Sequence, residues 1–284
     1  MTTHWRDIAI ETEAGALPAR LYGDRPGKGA APLVLHLHGG AFTGGTLEGG
    51  ACIAALLAAA GAVVVSADYP LACEHPFPFA LTTAFAALGA LYGRRADLAG
   101  RGAPLYVAGE EAGGNLAAGL AMMARDQQHP PLAGQILVSP MLDPSLATAS
   151  LRAAEAGACG CKYADGWQKY LGSPDKAAHP YAAPLASSRL KGLPPALVVS
   201  AQDCPLRDEA TRYARVLEQS GVATELDLLP GPTHWPDNLT QPPEGTAAAL
   251  DASPPCWSEA LRTLFSRFFA STRPGRRKPV ANVL

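Results

Sequence analysis

Charge is scarce in this chain. Asp, Glu, Lys and Arg make up 17% of its 284 residues and nearly cancel, to a formal charge of −2. So weak a field excludes a surface built to grip a polyanion, and nucleic acid is not an expected partner. Long apolar runs are also missing. The longest, Ala51 to Val65, falls short of the roughly 18 residues that span a bilayer and divides at Gly61 into an Ala/Leu helix and a Val-rich strand. The opening stretch from Met1 to Asp7 has neither the basic nor the apolar part of a signal peptide. No membrane partner is therefore expected, and the expected location is cytoplasmic. The six cysteines are then expected as reduced thiols. Cys159-Gly160-Cys161 suggests a metal pair, yet no Cys/His pair at matching spacing accompanies it. No metal or cofactor is expected.

What the chain does have is alternation. Short β-branched runs are separated by Ala/Leu-rich helical stretches, the pattern of a mainly parallel sheet covered by helices on both faces. Strands are predicted at Asp7–Glu11, Pro18–Tyr22, Leu33–Leu37, Ala62–Ala67, Leu105–Ala108, Gln135–Val138, Ala196–Ser200 and Thr224–Leu229. Helices are predicted at Leu47–Ala60, Phe79–Tyr92, Gly114–Arg125, Leu206–Ser220 and Cys256–Phe269. The first two strands read as an antiparallel hairpin. The whole reads as one α/β domain over residues 1–272, followed by a basic, frayed tail at 273–284. Two segments break the rhythm. Asp143–Gly192 holds Tyr163, Trp167, Tyr170 and Tyr181 and is a candidate cover over a pocket; Pro236–Pro255 reads as a surface loop.

Chemistry gathers at strand ends. Leu33–Leu37 runs into His38-Gly39-Gly40, a turn whose backbone N–H groups no side chain blocks, which suits the binding of an oxyanion. Leu105–Ala108 runs into Gly109-Glu110-Glu111-Ala112-Gly113-Gly114-Asn115. Small residues on both sides of position 111 suit a sharp strand-to-helix elbow, which would hold that side chain exposed above the sheet beside the Ala112 amide. Asp203 and His234 follow later strands, at the carboxyl edge where α/β sheets bind ligands. Ser66 and Ser139 are other hydroxyls, but neither stands on an elbow.

Taken together, these motifs resemble the α/β-hydrolases of the hormone-sensitive-lipase type, the bacterial arylesterase and acetyl-hydrolase group. The resemblance spans roughly residues 5–240. His38-Gly39-Gly40 matches that family's oxyanion motif, and the stretch from Tyr69 to Pro78, with Glu74-His75-Pro76-Phe77-Pro78, matches a second signature. Asp203-Cys204-Pro205-Leu206-Arg207-Asp208-Glu209 matches the segment bearing the family's acid. The resemblance implies an eight-stranded α/β-hydrolase fold with a reduced N-terminal cap. It also implies an oxyanion hole at Gly39, Gly40 and Ala112, with Asp203 and His234 as acid and base. Glu74-His75 is expected to lock a loop beneath the site, and Cys73 and Cys204 are expected as buried thiols. The departure is at the elbow, where the family's serine position holds Glu111.

A serine hydroxyl needs a base to become a nucleophile; a carboxylate does not. Two enzymatic readings follow. Glu111 could attack a saturated carbon and form an ester that water activated by His234 cleaves, or it could act as a general base. Ordinary serine-esterase turnover is not expected. The alternative is a catalytically silent relative that binds a ligand or partner, its carboxylate folded into the oxyanion hole or paired with His234. On the enzymatic reading the partner is a small organic substrate; self-association into a homodimer is left open.

Overall fold

The computed structural model describes residues 4–13, 15–155, 160–240 and 257–273. An eight-stranded sheet runs through the molecule in the order β1-β2-β4-β3-β5-β6-β7-β8. The strands are β1 (Trp5–Thr12), β2 (Gly15–Tyr22), β3 (Leu33–Leu37), β4 (Val63–Ala67), β5 (Leu105–Glu110), β6 (Gly134–Val138), β7 (Ala196–Ala201) and β8 (Thr224–Leu229). β1 and β2 pair antiparallel, β2 joins β4 antiparallel, and every later pairing is parallel. The five central strands β3, β4, β5, β6 and β7 are buried along their whole length. This is why they read as continuous Val/Leu/Ala runs without the polar alternation of a half-solvated sheet.

The helices are α1 (Ala51–Ala59), α2 (Phe79–Ala99), α3 (Glu111–Asp126), α4 (Ala149–Glu155), α5 (Gly160–Leu171), α6 (Arg207–Gln219), the short α7 (Asp237–Thr240) and α8 (Ser258–Thr272). Four differ from expectation in ways that matter. α1 starts at residue 51 and not 47, and Gly50 just before it is packed against the turn after β3, where a Cβ would lie 2.7 Å from His38 Cβ. α3 starts at Glu111 itself and not at Gly114, so the elbow residue is the first of the helix. The 143–192 excursion contains α4 and α5, neither of which was expected as a helix, with 3₁₀ turns at Pro174–Ala178 and Pro184–Ala186. Most of the predicted 236–255 loop and of the basic tail falls outside the described residues. So does Cys159, and nothing is described of the Cys161 side chain. Among the described residues no helix is long and apolar enough to cross a membrane.

Candidate active site

The elbow is built by steric necessity. Glu111 has φ of 52°, a left-handed conformation that ordinary side chains adopt only at a cost of roughly 1–2 kcal/mol. Its neighbours must be small. A Cβ at Gly109 would overlap the Gly113 carbonyl, one at Gly113 would overlap the carbonyl oxygens of Leu37 and His38, and one at Gly114 would lie 2.8 Å from Pro140 Cβ. The glycines thus let β5, α3 and the turn after β3 close on one another.

The expectation that residue 111 stands exposed is overturned: Glu111 is fully buried. Its Oε2 accepts the backbone N–H of Gly40 at 2.5 Å and that of Ala41 at 3.1 Å. Its Oε1 lies 3.5 Å from the ammonium of Lys162. That lysine comes from α5 and donates a 2.9 Å hydrogen bond to Asp237 Oδ1. Burial alone would push the Lys162 pKa down, but the charge of Glu111 and the bond to Asp237 outweigh it and hold it above its ordinary value.

The preceding acid points elsewhere. Glu110 Oε1 accepts the Gly39 N–H at 3.0 Å, and its Oε2 is 2.7 Å from His36 Nε2. The other ring nitrogen of His36 meets Ser66 Oγ at 2.9 Å. The donors that meet at the elbow are therefore those of Gly40 and Ala41, one residue later than the Gly39–Gly40 pair expected, because Gly39 is engaged by Glu110. Ala112 is buried in the first turn of α3. Tyr69, stacked on the His38 ring at 4.4 Å, donates its hydroxyl to the His38 carbonyl at 2.7 Å and steadies the turn from below.

Asp203 and His234 lie together at the carboxyl edge, in a different relation from the one expected. Asp203 Oδ2 accepts the N–H groups of Thr233 (2.7 Å) and His234 (2.9 Å), and Oδ1 accepts the Thr233 hydroxyl (2.8 Å). Partial burial pushes the Asp203 pKa up, but these three bonds prevail and hold it below the ordinary carboxylate range. Asp203 thus grips the His234 backbone, which is itself left-handed with φ of 55°. The imidazole is exposed, and among the described residues it has no hydrogen bond.

α5 covers this ground. Lys162, Tyr163, Gly166, Trp167 and Tyr170 fall on one helical face. A Cβ at Gly166 would overlap the Ala41 carbonyl, while the Phe42 ring stacks on Tyr170 at 3.9 Å and tilts against Trp167 at 5.1 Å. A cavity of about 330 Å³ lined by Arg125, Asp126, His179, Tyr181 and Arg189 shares no lining residue with the elbow.

This geometry, a left-handed elbow between a buried strand and a helix facing a Gly-Gly turn, can be set beside known proteins. The profile of the alpha/beta hydrolase fold matches residues 34–235. The chain belongs to that family. It is 38% identical to a carboxylic ester hydrolase, LipN, of Mycobacterium tuberculosis, over 86% of this chain and 67% of that protein. It is 40% identical to the esterase LipI of the same organism, over 78% and 71%. Among solved structures, the esterase LipW of Mycobacterium marinum superposes with a TM-score of 0.80 at 34% identity, covering 95% of this chain and 82% of that one. The carboxylesterase EstE1, cloned from a metagenomic library, gives 0.81 at 30%, covering 96% and 91%.

Other expectations for this α/β-hydrolase fare unevenly. Glu74 and His75 are exposed, and His75 stacks on Phe79 at 4.3 Å, so they lock nothing beneath the elbow. Cys73 is exposed, whereas Cys204 is buried and donates to Ser139 Oγ at 3.3 Å. Ser139 and Ser66 are both buried, Ser139 bonded to Ser200 and Ser66 to His36. Tyr170 packs into the aromatic cluster, and the Tyr181 hydroxyl donates to Asp126 at 2.7 Å. Sequence reasoning did not single out Lys162, Asp237, Ala41 or His36. The signal for Lys162 was present, at i and i+8 from Tyr170 on a 3.6-residue stripe.

Proposed function

We propose that this chain is a hydrolase acting on a small, partly apolar organic molecule through Glu111 as a carboxylate nucleophile, with His234 as the water-activating base and Asp203 as the residue that fixes the histidine loop. The supporting observation is the unequal treatment of the two Glu111 oxygens. Oε2 takes both amide donors, while Oε1 faces a single ammonium at 3.5 Å. One oxygen thus sits on a pair of donors suited to oxyanion charge, and the other, buried beneath Lys162, becomes the attacking atom once the ammonium swings aside.

Attack of Oε1 on a saturated carbon expels the leaving group with its electron pair and forms an ester of Glu111 whose carbonyl oxygen is Oε2. Water then gives a proton to His234 and adds to Cδ. Negative charge gathers on Oε2, between the Gly40 and Ala41 amides. Collapse breaks the Cδ–Oε1 bond, and the departing alcohol oxygen takes the proton from the imidazolium. Serine-type acyl transfer fits poorly, since the elbow has no hydroxyl and the amide pair is already taken.

The Lys162 ion pair favours a second reading, a silent scaffold that binds ligand without turnover. Two substitutions at the elbow separate the readings. Glu111→Gln should abolish turnover of an alkyl epoxide and bromide panel while thermal unfolding stays cooperative; wild-type rates in that variant would sink the proposal. Glu111→Ser frees the two amides and should gain hydrolysis of p-nitrophenyl acetate that the parent lacks. A parent that turns over nothing in the panel, forms no adduct on Glu111 and is yet stabilised by a ligand would establish the silent reading.

A further inference from the structure

We infer that the cavity between the end of α3 and the 178–189 stretch is a second ligand site, and that it takes a small organic carboxylate. The cavity holds about 330 Å³, near the lower end of the roughly 300–1,000 Å³ typical of small-molecule sites. It shares no lining residue with the elbow, so its occupant is independent of what Glu111 does.

The charges on its walls do not cancel. Two guanidinium groups, Arg125 and Arg189, face one carboxylate, Asp126, which leaves one positive charge in excess. Arg125 and Asp126 satisfy each other and their neighbours. Asp126 Oδ1 accepts Arg125 Nε at 2.8 Å, and Oδ2 accepts the Tyr181 hydroxyl at 2.7 Å. Arg125 Nη1 donates to the carbonyls of Arg189 (2.5 Å) and Lys191 (3.2 Å). Partial burial pushes the Asp126 pKa up, but Tyr181 and Arg125 prevail and hold it below the ordinary carboxylate range, so the acid stays charged and matched. Arg189 is the cation left over. Its backbone N–H meets Ser187 Oγ at 3.3 Å, while its guanidinium has no hydrogen bond or ion pair among the described residues.

The other free groups are donors as well. His179 Nδ1 accepts the Tyr181 N–H at 3.2 Å, which places the ring proton on Nε2, where no acceptor lies among the described residues. The Ser188 hydroxyl is likewise unpaired among them. A guanidinium, an imidazole N–H and a hydroxyl, beside a carboxylate already engaged, recognise an anion and reject a cation. The rest of the lining is apolar: the fully buried Met122 with Ala178, Pro180 and Ala186. That surface suits a hydrocarbon body attached to the anion, and a bare inorganic ion would leave it uncovered. Both walls are braced before anything binds. Asn115 Nδ2 donates to the Ala182 carbonyl at 3.0 Å, and Arg125 grips the two carbonyls beyond, which ties the 178–189 stretch to α3.

Benzoate is the probe, added to the full chain with isotope-labelled methionine methyl groups and followed by NMR. Met122 lines the cavity, whereas Met141 sits at the elbow, its N–H donating to the Glu111 carbonyl at 3.0 Å. Loss of a signal in Met122→Leu assigns the reporter. Benzoate should shift the Met122 methyl saturably, with a Kd of about 1 mM or tighter, and leave Met141 unmoved. Benzamide, the same shape without the charge, should bind at least about tenfold more weakly, and so should benzoate to Arg189→Gln, an exposed position whose change leaves the methyl spectrum dispersed. Inorganic phosphate separates the two kinds of anion: tighter binding of phosphate than of benzoate would make this a phosphoryl site and overturn the carboxylate assignment. Undiminished affinity in Arg189→Gln, a response at Met141 alone, or no saturable response at all overturns the site itself.

Discussion

Glu111 is held by what surrounds it more than by what it is. On its own left-handed backbone, two amides and an ammonium converge on one buried carboxylate, and none of these partners is near it in sequence. The glycines around position 111 made the elbow legible, because only small residues permit that turn. Where the side chain would point was not legible, since it depends on the Lys162 amine, 51 positions away, and on a helix that composition did not announce. Asp203 is a similar case. Its place beside His234 could be read from the strand ends, yet its use of backbone N–H groups could not.

Another buried acid carries a pH signature. Glu209 is pushed up from 4.5 to about 8 by burial, although its Oε2 accepts the N–H groups of Leu142 and Asp143. A carboxyl whose folded pKa is raised contributes stability in full below its unfolded value, and loses it as pH rises through the folded one. Relative to Glu209→Gln, the unfolding free energy of the parent should fall by a few kcal/mol between about pH 4.5 and about pH 8, and level off above. Urea titrations at several pH values measure it, and parallel curves for the two proteins would refute it.

Among the elements, α5 has the most to do with the site. Its inward stripe is aromatic, and its one gap, Gly166, is where the Ala41 carbonyl passes. The stripe follows the helical period, but Gly166 and the neighbouring Gly160 weaken any helix prediction from propensity. Gly166→Ala would force the helix off the Gly40–Ala41 turn, because the obstacle is backbone and cannot rotate away. Overpacking of this kind costs about 1–3 kcal/mol. The expected result is a lowered melting temperature together with a weakened Lys162–Glu111 ion pair, since Lys162 rises with its helix. A variant as stable and active as the parent would show that α5 does not rest on the turn as described.

Across the whole molecule, burial grades from the middle of the sheet outward. β3 to β7 are wholly buried, whereas β1 alternates with solvent and β8 is mostly half-exposed. Backbone amides of β3, β5 and β6 should therefore exchange with deuterium only through global unfolding, and those of β1 and β8 much sooner, by local opening. Uniform exchange across the sheet would contradict the grading. This scale was the most readable from sequence, because long Val/Leu runs and their spacing report burial on both faces. The antiparallel entry followed from the same pattern, whereas the strand order, with β4 between β2 and β3, came from the structure alone.

Three successive amides, at Gly39, Gly40 and Ala41, are met by two successive acids, Glu110 reaching one and Glu111 the other two. Strand end and turn are thereby stitched into a self-satisfied knot. Exchanging the second acid for a hydroxyl undoes two of those three stitches: it would leave the first amide tied while its two successors lose their acceptor.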